Sequence, residues 1–308
     1  MMKGTQLSGW RNSSRVFALI VWCLRHGLIN SIMRFRNRKL FLVEAIKQFT
    51  AGNTSISDSD NFQDFLNISG SASQDLEIFS KFRRGYGLAE VVDNVTLDQG
   101  KGYIQEIHRH VEWNESYTNA LRKIDSVGRP RKYLFPQIGF CSPTSLRYLK
   151  VFIDLKTLFG SIKSFNIVEI GVGFGGQAAL IVSIENPSSY SFLDVEPVLA
   201  LSKTFVEKLG LESKFSWHDG RNPEKMKPDL VISNYAFSEL SRDLQKTYLD
   251  NVILPSKMGY ITWNSSAVGD EKCYSIDELI RIIPNSRIKA EVPNTAASNV
   301  IIYWGPNL

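Results

Sequence analysis

The sequence predicts an α/β fold, with a Rossmann-like seven-stranded sheet in the second half of the chain and a mostly helical region before it. Three observations lead to this prediction. Short β-branched runs alternate with helical stretches, as in a parallel sheet with crossover helices. A glycine-rich turn follows the first of these runs, at Gly171. The last two runs are separated by the loop Pro293–Asn299, which is too short for a crossover helix and predicts an antiparallel pair.

The individual elements follow from the apolar runs and from local start and stop signals. The predicted strands are Asn166–Ile170, Ser189–Leu193, Lys214–Trp217, Leu230–Ser233, Tyr260–Trp263, Arg287–Val292 and Val300–Trp304. The predicted helices among them are Gly176–Ile184, Pro197–Leu209, Arg242–Leu249 and Ser275–Ile283, with an irregular link after Asp219. A helix running towards Phe159 precedes the first strand, since Ser142 is suited to its N-cap and Pro143 to its first position.

The first half of the chain is predicted to be mostly helical. Apolar residues recur at helical spacing over Asp75–Phe82 and Tyr103–Ile124. Residues Ala51–Ser73 are rich in Ser, Asn, Asp and Gly, which predicts a loop or short turns. We therefore divide the chain into a helical N-terminal region, 1–130, and a Rossmann-like domain, 131–308.

Composition and charge restrict the classes of partner. The 308 residues are 43% hydrophobic and 22% charged, which is ordinary for a folded protein, and the net charge of +5 is modest. The chain lacks the interleaved basic and aromatic residues expected of a nucleic-acid binder. Its three cysteines, Cys23, Cys141 and Cys273, lie far apart and predict neither a disulfide framework nor a metal knuckle, so a reducing cytoplasm is expected.

The N-terminal segment leaves two interpretations open. Val16–Leu24 is an apolar run too short to span a bilayer, and Arg25 follows it at once, which argues against a cleaved signal. The run could be a packed helix beside a solvated basic face, or a peripheral contact with anionic lipid at the inner face of the membrane. Residues 1–50 are expected to be dispensable for ligand binding. The basic residues that follow the run are Arg34, Arg36, Arg38 and Lys39.

The glycine turn is the clearest ligand signal. Gly171, Gly173 and Gly176 form a G-x-G-x-x-G pattern, with Gly175 as a fourth glycine inside it. Such a turn between a strand and a helix lets a ligand approach the bare backbone, and both nicotinamide enzymes and methyl donors use it. The glycines alone do not separate these two classes.

Two acids and the end of the chain favour S-adenosylmethionine (SAM). Glu169 lies two residues before the first glycine, where an acid in methyltransferases helps to hold the amino group of the donor. Asp194 ends the next strand and is placed to accept both ribose hydroxyls, a role that fits NAD equally well. A carboxylate at a strand end is seldom a core group, so replacing Asp194 is expected to leave folding largely intact. A seven-stranded sheet with an antiparallel end describes a methyltransferase rather than a six-stranded dehydrogenase. Asp219 is expected to receive the adenine amino group, and Asn234 to lie beside the donor.

The sequence also resembles a known family, the sugar O-methyltransferases found among bacterial cell-surface polysaccharide genes. The resemblance covers the chain from about residue 112 onward. It implies SAM-dependent methylation of a sugar hydroxyl in cell-surface polysaccharide biosynthesis, with a sugar, nucleotide-sugar or glycan as acceptor. The stretches that carry it are Lys123–Gly128, Cys141–Lys150, Ile167–Gly176, Phe192–Leu199 and Ser233–Leu240.

A sugar hydroxyl needs a base or a metal beside it, and the candidates lie after the fourth strand. Glu239 is the first choice for the base, although it could equally stabilise the nearby helix as a first-turn acid. Tyr235 and Ser238 lie in the same segment. His218 is a second candidate for the base, and a metal ligand or a simple surface histidine are its alternatives.

No metal site is predicted. His108 and His110 point to different faces of a helix. A metal-dependent variant that uses Asp270 and Glu271 stays open, although their spacing is not typical of a metal site. Arg147 and Tyr148 belong to a stretch that resembles the family and are expected near the donor or acceptor. Two other functions stay open beside the sugar O-methyltransferase. One is methylation of another small hydroxyl or amine, and the other is a non-catalytic SAM-binding partner of a glycan assembly complex.

Overall fold

The computed structural model describes residues 60–84, 91–136, 138–265, 273–296 and 298–306 of the chain. The apolar run Val16–Leu24, the basic cluster behind it, and the pair Asp270 and Glu271 lie outside these residues. None of the described helices combines the length and the apolar character that crossing a bilayer requires.

The described strands form a small hairpin and one large sheet. The hairpin, β1 (Tyr133–Phe135) with β2 (Gly139–Cys141), was not predicted. The sheet contains β3 (Asn166–Ile170), β4 (Ser189–Asp194), β5 (Phe215–Asp219), β6 (Leu230–Asn234), β7 (Met258–Trp263), β8 (Arg287–Ala290) and β9 (Val300–Trp304).

The seven strands lie in the order β5–β4–β3–β6–β7–β9–β8. β3 to β7 are mutually parallel, and β9 runs antiparallel to both of its neighbours. The predicted Rossmann-like seven-stranded sheet is therefore confirmed, including its antiparallel pair. The carboxyl ends of β3 to β7 all meet at one edge of the sheet, which is where ligands bind in open parallel sheets.

Helices cover both faces of the sheet. They are α1 (Asp60–Gln74), α2 (Leu76–Ser80), α3 (Leu97–His110), α4 (Glu115–Ile124), α5 (Pro143–Phe159), α6 (Gly176–Glu185), α7 (Glu196–Lys208), α8 (Arg242–Tyr248) and α9 (Ile276–Ile282). α5 has Ser142 at its N-cap and Pro143 at its start, as predicted. The Ser142 side chain makes no capping hydrogen bond, however, and its hydroxyl lies 3.4 Å from a carboxylate oxygen of Asp93.

The loop prediction for Ala51–Ser73 is wrong over the described residues, because α1 begins at Asp60. Phe65, Ser69 and Ala72 are buried at helical spacing, and this face of α1 packs into the core. The Ser69 hydroxyl donates back to the Phe65 carbonyl at 2.7 Å, so the polar composition is satisfied inside the helix. The polar composition of this stretch therefore predicted a loop although its buried residues have helical spacing.

Several boundaries differ from the prediction by one or a few residues, and two of the differences have a clear cause. The stretch Tyr103–Ile124 is two helices, because Asn114 starts α4 by accepting the N–H of Ser116 at 2.9 Å. β8 ends at Ala290 instead of Val292, because Glu291 turns into a buried polar network.

The core continues from the first half of the chain into the sheet. Phe65, Ile107 and Leu121 belong to the same buried apolar cluster as Phe192 and Ile232. The opposite face of the sheet buries a second cluster under α8 and α9. The helices before residue 130 thus pack against the helices that cover the sheet and share one apolar core with it. One of them, α3, carries a residue to the candidate site.

Candidate functional site

The glycine turn leaves β3 at the carboxyl edge of the sheet. Gly171 and Gly173 have φ angles of +75° and +53°, in the left-handed region that glycine favours. A Cβ at Gly171 would overlap with the side chain of Ala236, and one at Gly173 would lie 3.1 Å from Val92 Cγ1. The turn therefore lets two chain segments, one after β6 and one before α3, approach the end of β3 closely.

Asp194 holds this turn in place. One carboxylate oxygen accepts the N–H of Val172 at 2.8 Å, and the other accepts the N–H of Val195 at 2.8 Å. Burial raises the pKa of Asp194 to about 6, although these backbone donors oppose the rise. The N–H of Gly173 also stabilises the carboxylate, and the lone pair that remains can still accept a hydroxyl group of a ligand. These bonds argue against the expectation that replacing Asp194 leaves folding largely intact, because two backbone N–H groups have it as their acceptor.

Replacing Asp194 by Ala should therefore affect both stability and ligand binding. Loss of the acceptor for two partly buried N–H groups should lower the free energy of unfolding by about 1–3 kcal/mol. If Asp194 binds the ribose of SAM, as the sequence predicts, the variant should also bind SAM roughly tenfold or more weakly. Urea denaturation and titration calorimetry measure the two effects. Glu196→Ala, which removes an exposed carboxylate two residues away, is the matched control and should change the stability little. Unchanged stability of Asp194→Ala would contradict the role assigned to its carboxylate.

Glu169 lies in the central strand and is only 2% exposed. Its Oε2 accepts a hydrogen bond from the Tyr190 hydroxyl at 2.8 Å. Burial raises the pKa of Glu169 to about 8; the Tyr190 bond opposes the rise and nearby Asp194 adds to it. At neutral pH this acid is mostly protonated, and a cationic group of a ligand would favour its ionised form.

A pH dependence of SAM binding follows from this arrangement. If Glu169 pairs with the donor's ammonium, as the sequence predicts, it must lose its proton, so affinity should rise with pH between pH 6 and 7.5 by on the order of tenfold. At pH 7 binding should release a proton, which calorimetry detects as a difference between phosphate and Tris buffers. Glu169→Gln should abolish both effects. If the SAM affinity of the unaltered protein is as independent of pH as that of Glu169→Gln, Glu169 does not pair with the ammonium group of the donor.

The segment after β6 contains a strained residue. Tyr235 has a φ angle of +71°, which is unusual for a residue with a side chain. Its hydroxyl donates to Glu291, and burial, opposed by Arg147, raises its pKa to about 12. Tyr235 is thus a neutral phenol at physiological pH, a hydrogen-bonding group rather than a base. Asn234, one residue earlier, accepts from the Thr262 hydroxyl at 3.3 Å.

Glu291 is the centre of a buried network that the sequence did not predict. Its carboxylate is 6% exposed and accepts from Tyr235, from both the N–H and the hydroxyl of Thr295, and from the Asn299 amide. Thr295 and Asn299 belong to the loop between β8 and β9. The network ties this loop to the segment after β6 and fixes Tyr235 at the carboxyl edge.

Glu239 ends a 3₁₀ turn, Ala236–Glu239, that follows Tyr235. The Asn264 amide donates to Glu239 Oε1 at 3.3 Å, and burial raises the pKa of Glu239 above its usual value. Ser238, 1% exposed, accepts the N–H of Asn264 at 3.0 Å. The helix-dipole alternative is weakened, because α8 begins beyond Glu239 with Ser241 as its cap and Asp243 in its first turn. A carboxylate with a raised pKa suits a general base near neutral pH.

His218 and Asp219 lie at the other end of the site. β5 is the edge strand, three strand spacings or about 14 Å from β6, so the structure does not bring His218 together with Glu239. Instead, His218 lines a cavity of about 320 Å³ with Trp217, Asp219, Asn222 and Glu224. Asp219 is the register partner of Asp194, and its carboxylate accepts the N–H of Arg221 at 3.0 Å. This position agrees with a role at the adenine end of a donor.

The described residues contain no group of three or more side chains placed to hold a metal ion.

Arg147 and Tyr148 lie in the first turns of α5, and a Cβ at Gly176 would lie 2.5 Å from the Tyr148 ring. The Tyr148 ring therefore borders the glycine turn. That Arg147 and Tyr148 lie near the donor or acceptor stays a prediction. Residues that sequence reasoning missed are Val92, Tyr103, Glu291, Thr295 and Asn299.

Comparison with known proteins gives matches to solved structures only. No protein-family model and no curated protein matches the chain. The methyltransferase domain of bacterial CtHen1-CN shares 10% identity, with 52% of this chain and 97% of that one covered, at a TM-score of 0.40. A SAM-dependent methyltransferase from Aquifex aeolicus shares 19% identity, with 49% and 86% covered, at a TM-score of 0.37. At such identities and scores, the function must be argued from the residues of this chain.

Proposed function

We propose that the chain is a SAM-dependent methyltransferase. The observation that carries this proposal is the glycine turn at the end of the central strand, held by Asp194 and flanked by the buried acid Glu169. Glu169 would hold the donor's amino group, Asp194 its ribose and Asp219 its adenine. The order of these residues along the edge, β3, β4 and β5, matches the order of the three parts of the donor.

We infer further that the acceptor is a sugar hydroxyl, on a free sugar, a nucleotide-sugar or a glycan. When bound, SAM supplies a methyl group attached to a positively charged sulfur. The chain must align the acceptor with this group and exclude water. Tyr235 is positioned by Glu291, and Glu239 accepts the proton that the acceptor hydroxyl loses. The resemblance of Ser233–Leu240 and Cys141–Lys150 to sugar O-methyltransferases supports this acceptor class and a place in cell-surface polysaccharide biosynthesis.

The test is a methyl-transfer assay with isotopically labelled SAM. The acceptors are free hexoses, uronic acids, nucleotide-linked sugars, and a panel of phenols and amines. Transfer to a sugar, with the label on a ring hydroxyl, supports the proposal. Transfer only to phenols or amines would show that the acceptor is one of these and not a sugar. SAM binding without transfer to any acceptor would favour a non-catalytic partner in glycan assembly.

The location of the protein is a separate proposal, namely a cytoplasmic protein that contacts the inner face of the membrane. It rests on the sequence alone, since Arg34, Arg36, Arg38 and Lys39 lie outside the described residues. Full-length protein should sediment with anionic vesicles and not with neutral ones. Replacing the four basic residues by Ser should abolish sedimentation and leave SAM affinity unchanged. Equal sedimentation of both proteins would contradict the membrane contact.

A further inference from the structure

Two arginines are held inside this part of the molecule, and they differ in one respect. Arg83, 2% exposed, pairs with Asp93 at 2.9 Å and with Asp125 at 3.2 Å, so its charge is neutralised within the protein. Arg147 is partly buried, and none of the described carboxylates forms an ion pair with it. A guanidinium remains charged at any physiological pH, so within the described part of the chain no carboxylate neutralises the charge of Arg147.

The neighbours of Arg147 satisfy little of its hydrogen-bonding capacity. Its guanidinium carbon lies 5.7 Å from the ring centre of Tyr148 and 5.6 Å from that of Tyr235. Among the described residues, its guanidinium donates to the Val92 carbonyl at 3.4 Å and has the Tyr148 hydroxyl as a further acceptor. A guanidinium has five N–H groups, so most of them have no acceptor in the described part of the chain. The rings attract the cation but accept no strong hydrogen bond.

Tyr103, on α3, adds a second donor with no partner. The residue is 2% exposed, and its hydroxyl makes no hydrogen bond to the described part of the chain. Burial raises its pKa; Tyr235 adds to the rise and Arg147 opposes it, which places all three side chains together. The carboxylate of Glu291, in the same neighbourhood, is already occupied by Tyr235, Thr295 and Asn299. A buried hydroxyl without a partner is costly unless a ligand supplies one.

Arg147 also lies directly beside the glycine turn. Val92, which accepts its hydrogen bond, contacts Gly173, and Tyr235, which stacks under it, is followed by Ala236 against Gly171. Arg147 therefore lies beside the two segments that border the glycine turn, and the Tyr103 hydroxyl lies in the same neighbourhood.

We propose that Arg147 and Tyr103 together bind a carboxylate group of a bound small molecule. This inference rests on the proposed function and deepens it. The carboxylate can come from two sources, the amino-acid end of the donor or an acidic sugar acceptor. In either case the carboxylate would neutralise Arg147 with charge-assisted hydrogen bonds and would accept the Tyr103 hydroxyl.

The test compares Arg147→Met and Tyr103→Phe with the unaltered full-length protein. Arg122→Met, which removes a charge from an exposed position on α4, is the matched control. Calorimetry uses two pairs of probes. S-adenosylhomocysteine is compared with 5′-methylthioadenosine, which lacks the carboxylate, and glucuronate is compared with glucose in the presence of S-adenosylhomocysteine.

A loss of on the order of ten- to hundredfold in S-adenosylhomocysteine affinity by Arg147→Met, with 5′-methylthioadenosine unaffected, would assign the carboxylate to the donor. A similar loss for glucuronate alone would assign it to the acceptor. Tyr103→Phe should weaken the same probe severalfold without lowering stability, because it removes a hydroxyl that has no partner.

The inference is overturned if both folded variants bind every probe as the unaltered protein does, since Arg147 would then serve only to pack against the tyrosines. That outcome leaves the proposed function intact. The proposed function fails separately if the unaltered protein binds neither S-adenosylhomocysteine nor 5′-methylthioadenosine.

Discussion

Replacing Glu239 by Gln is expected to lower turnover by about 10²–10⁴-fold while SAM affinity stays nearly constant. Gln keeps the shape of the side chain and removes its basicity. The expectation rests on the position of Glu239 at the end of the turn after β6 and on its partly buried carboxylate beside Asn264. Because burial raises the pKa of Glu239, and only the ionised form is a base, activity should be lost as the pH falls through that raised pKa.

The control for this variant is Asp243→Asn, which removes an exposed acid in the first turn of α8 and should leave turnover unchanged. Single-turnover kinetics with saturating SAM measure the effect on the chemical step. Turnover that persists in a folded Glu239→Gln protein would contradict the assignment. His218→Ala would then be the next variant, and inhibition by a chelator would transfer the role to a metal.

Replacing Gly171 by Ala is expected to destabilise the protein by about 2–5 kcal/mol. Roughly 1–2 kcal/mol come from a side chain at a φ angle of +75°, and about 1–3 kcal/mol come from overlap with Ala236. The overlap is a property of the pair, so Gly171→Ala combined with Ala236→Gly should recover most of the second contribution. The strain of the backbone should remain.

Urea denaturation of the unaltered protein, both single variants and the double variant measures the coupling between the two positions. Ala236→Gly alone should cost about 0.5–1 kcal/mol, the usual penalty for added backbone freedom. Additive effects with no recovery in the double variant would show that Ala236 does not lie against the glycine turn. SAM affinity should be lowered in Gly171→Ala even where the protein remains folded.

The sheet could be predicted from the sequence because its signals are local. Each strand is a short apolar run, and each turn signal lies beside the run it ends. The reversed β9 followed from the length of one loop, Pro293–Asn299. The helix α1 could not be predicted, because its Ser- and Asn-rich composition resembles a loop. Its apolar face, with Phe65 and Ala72, gains its stability only by packing into the core.

The candidate site was predictable only in part, because local sequence signals give the positions of its residues but not their tertiary contacts. Gly171, Glu169 and Asp194 stand at strand ends, where the fold dictates what lies nearby. The partner of Tyr235 is Glu291, 56 residues away in sequence, and no periodic pattern records such a contact. The bond between Tyr190 and Glu169, and the two backbone donors on Asp194, likewise depend on tertiary structure. Positions were thus predictable from the sequence, and partners were not.

Titration calorimetry of SAM against the unaltered protein and Gly173→Val tests most directly whether the glycine turn binds SAM. A valine at Gly173, where φ is +53° and Val92 lies 3.1 Å from a Cβ, would block the close approach of a ligand to the backbone. We predict that the unaltered protein binds SAM and not NAD, and that Gly173→Val, with an unchanged circular dichroism spectrum, binds SAM at least roughly tenfold more weakly, a loss of about 1.4 kcal/mol or more. Equal affinity of the two proteins for SAM, or binding of NAD in its place, would contradict the account.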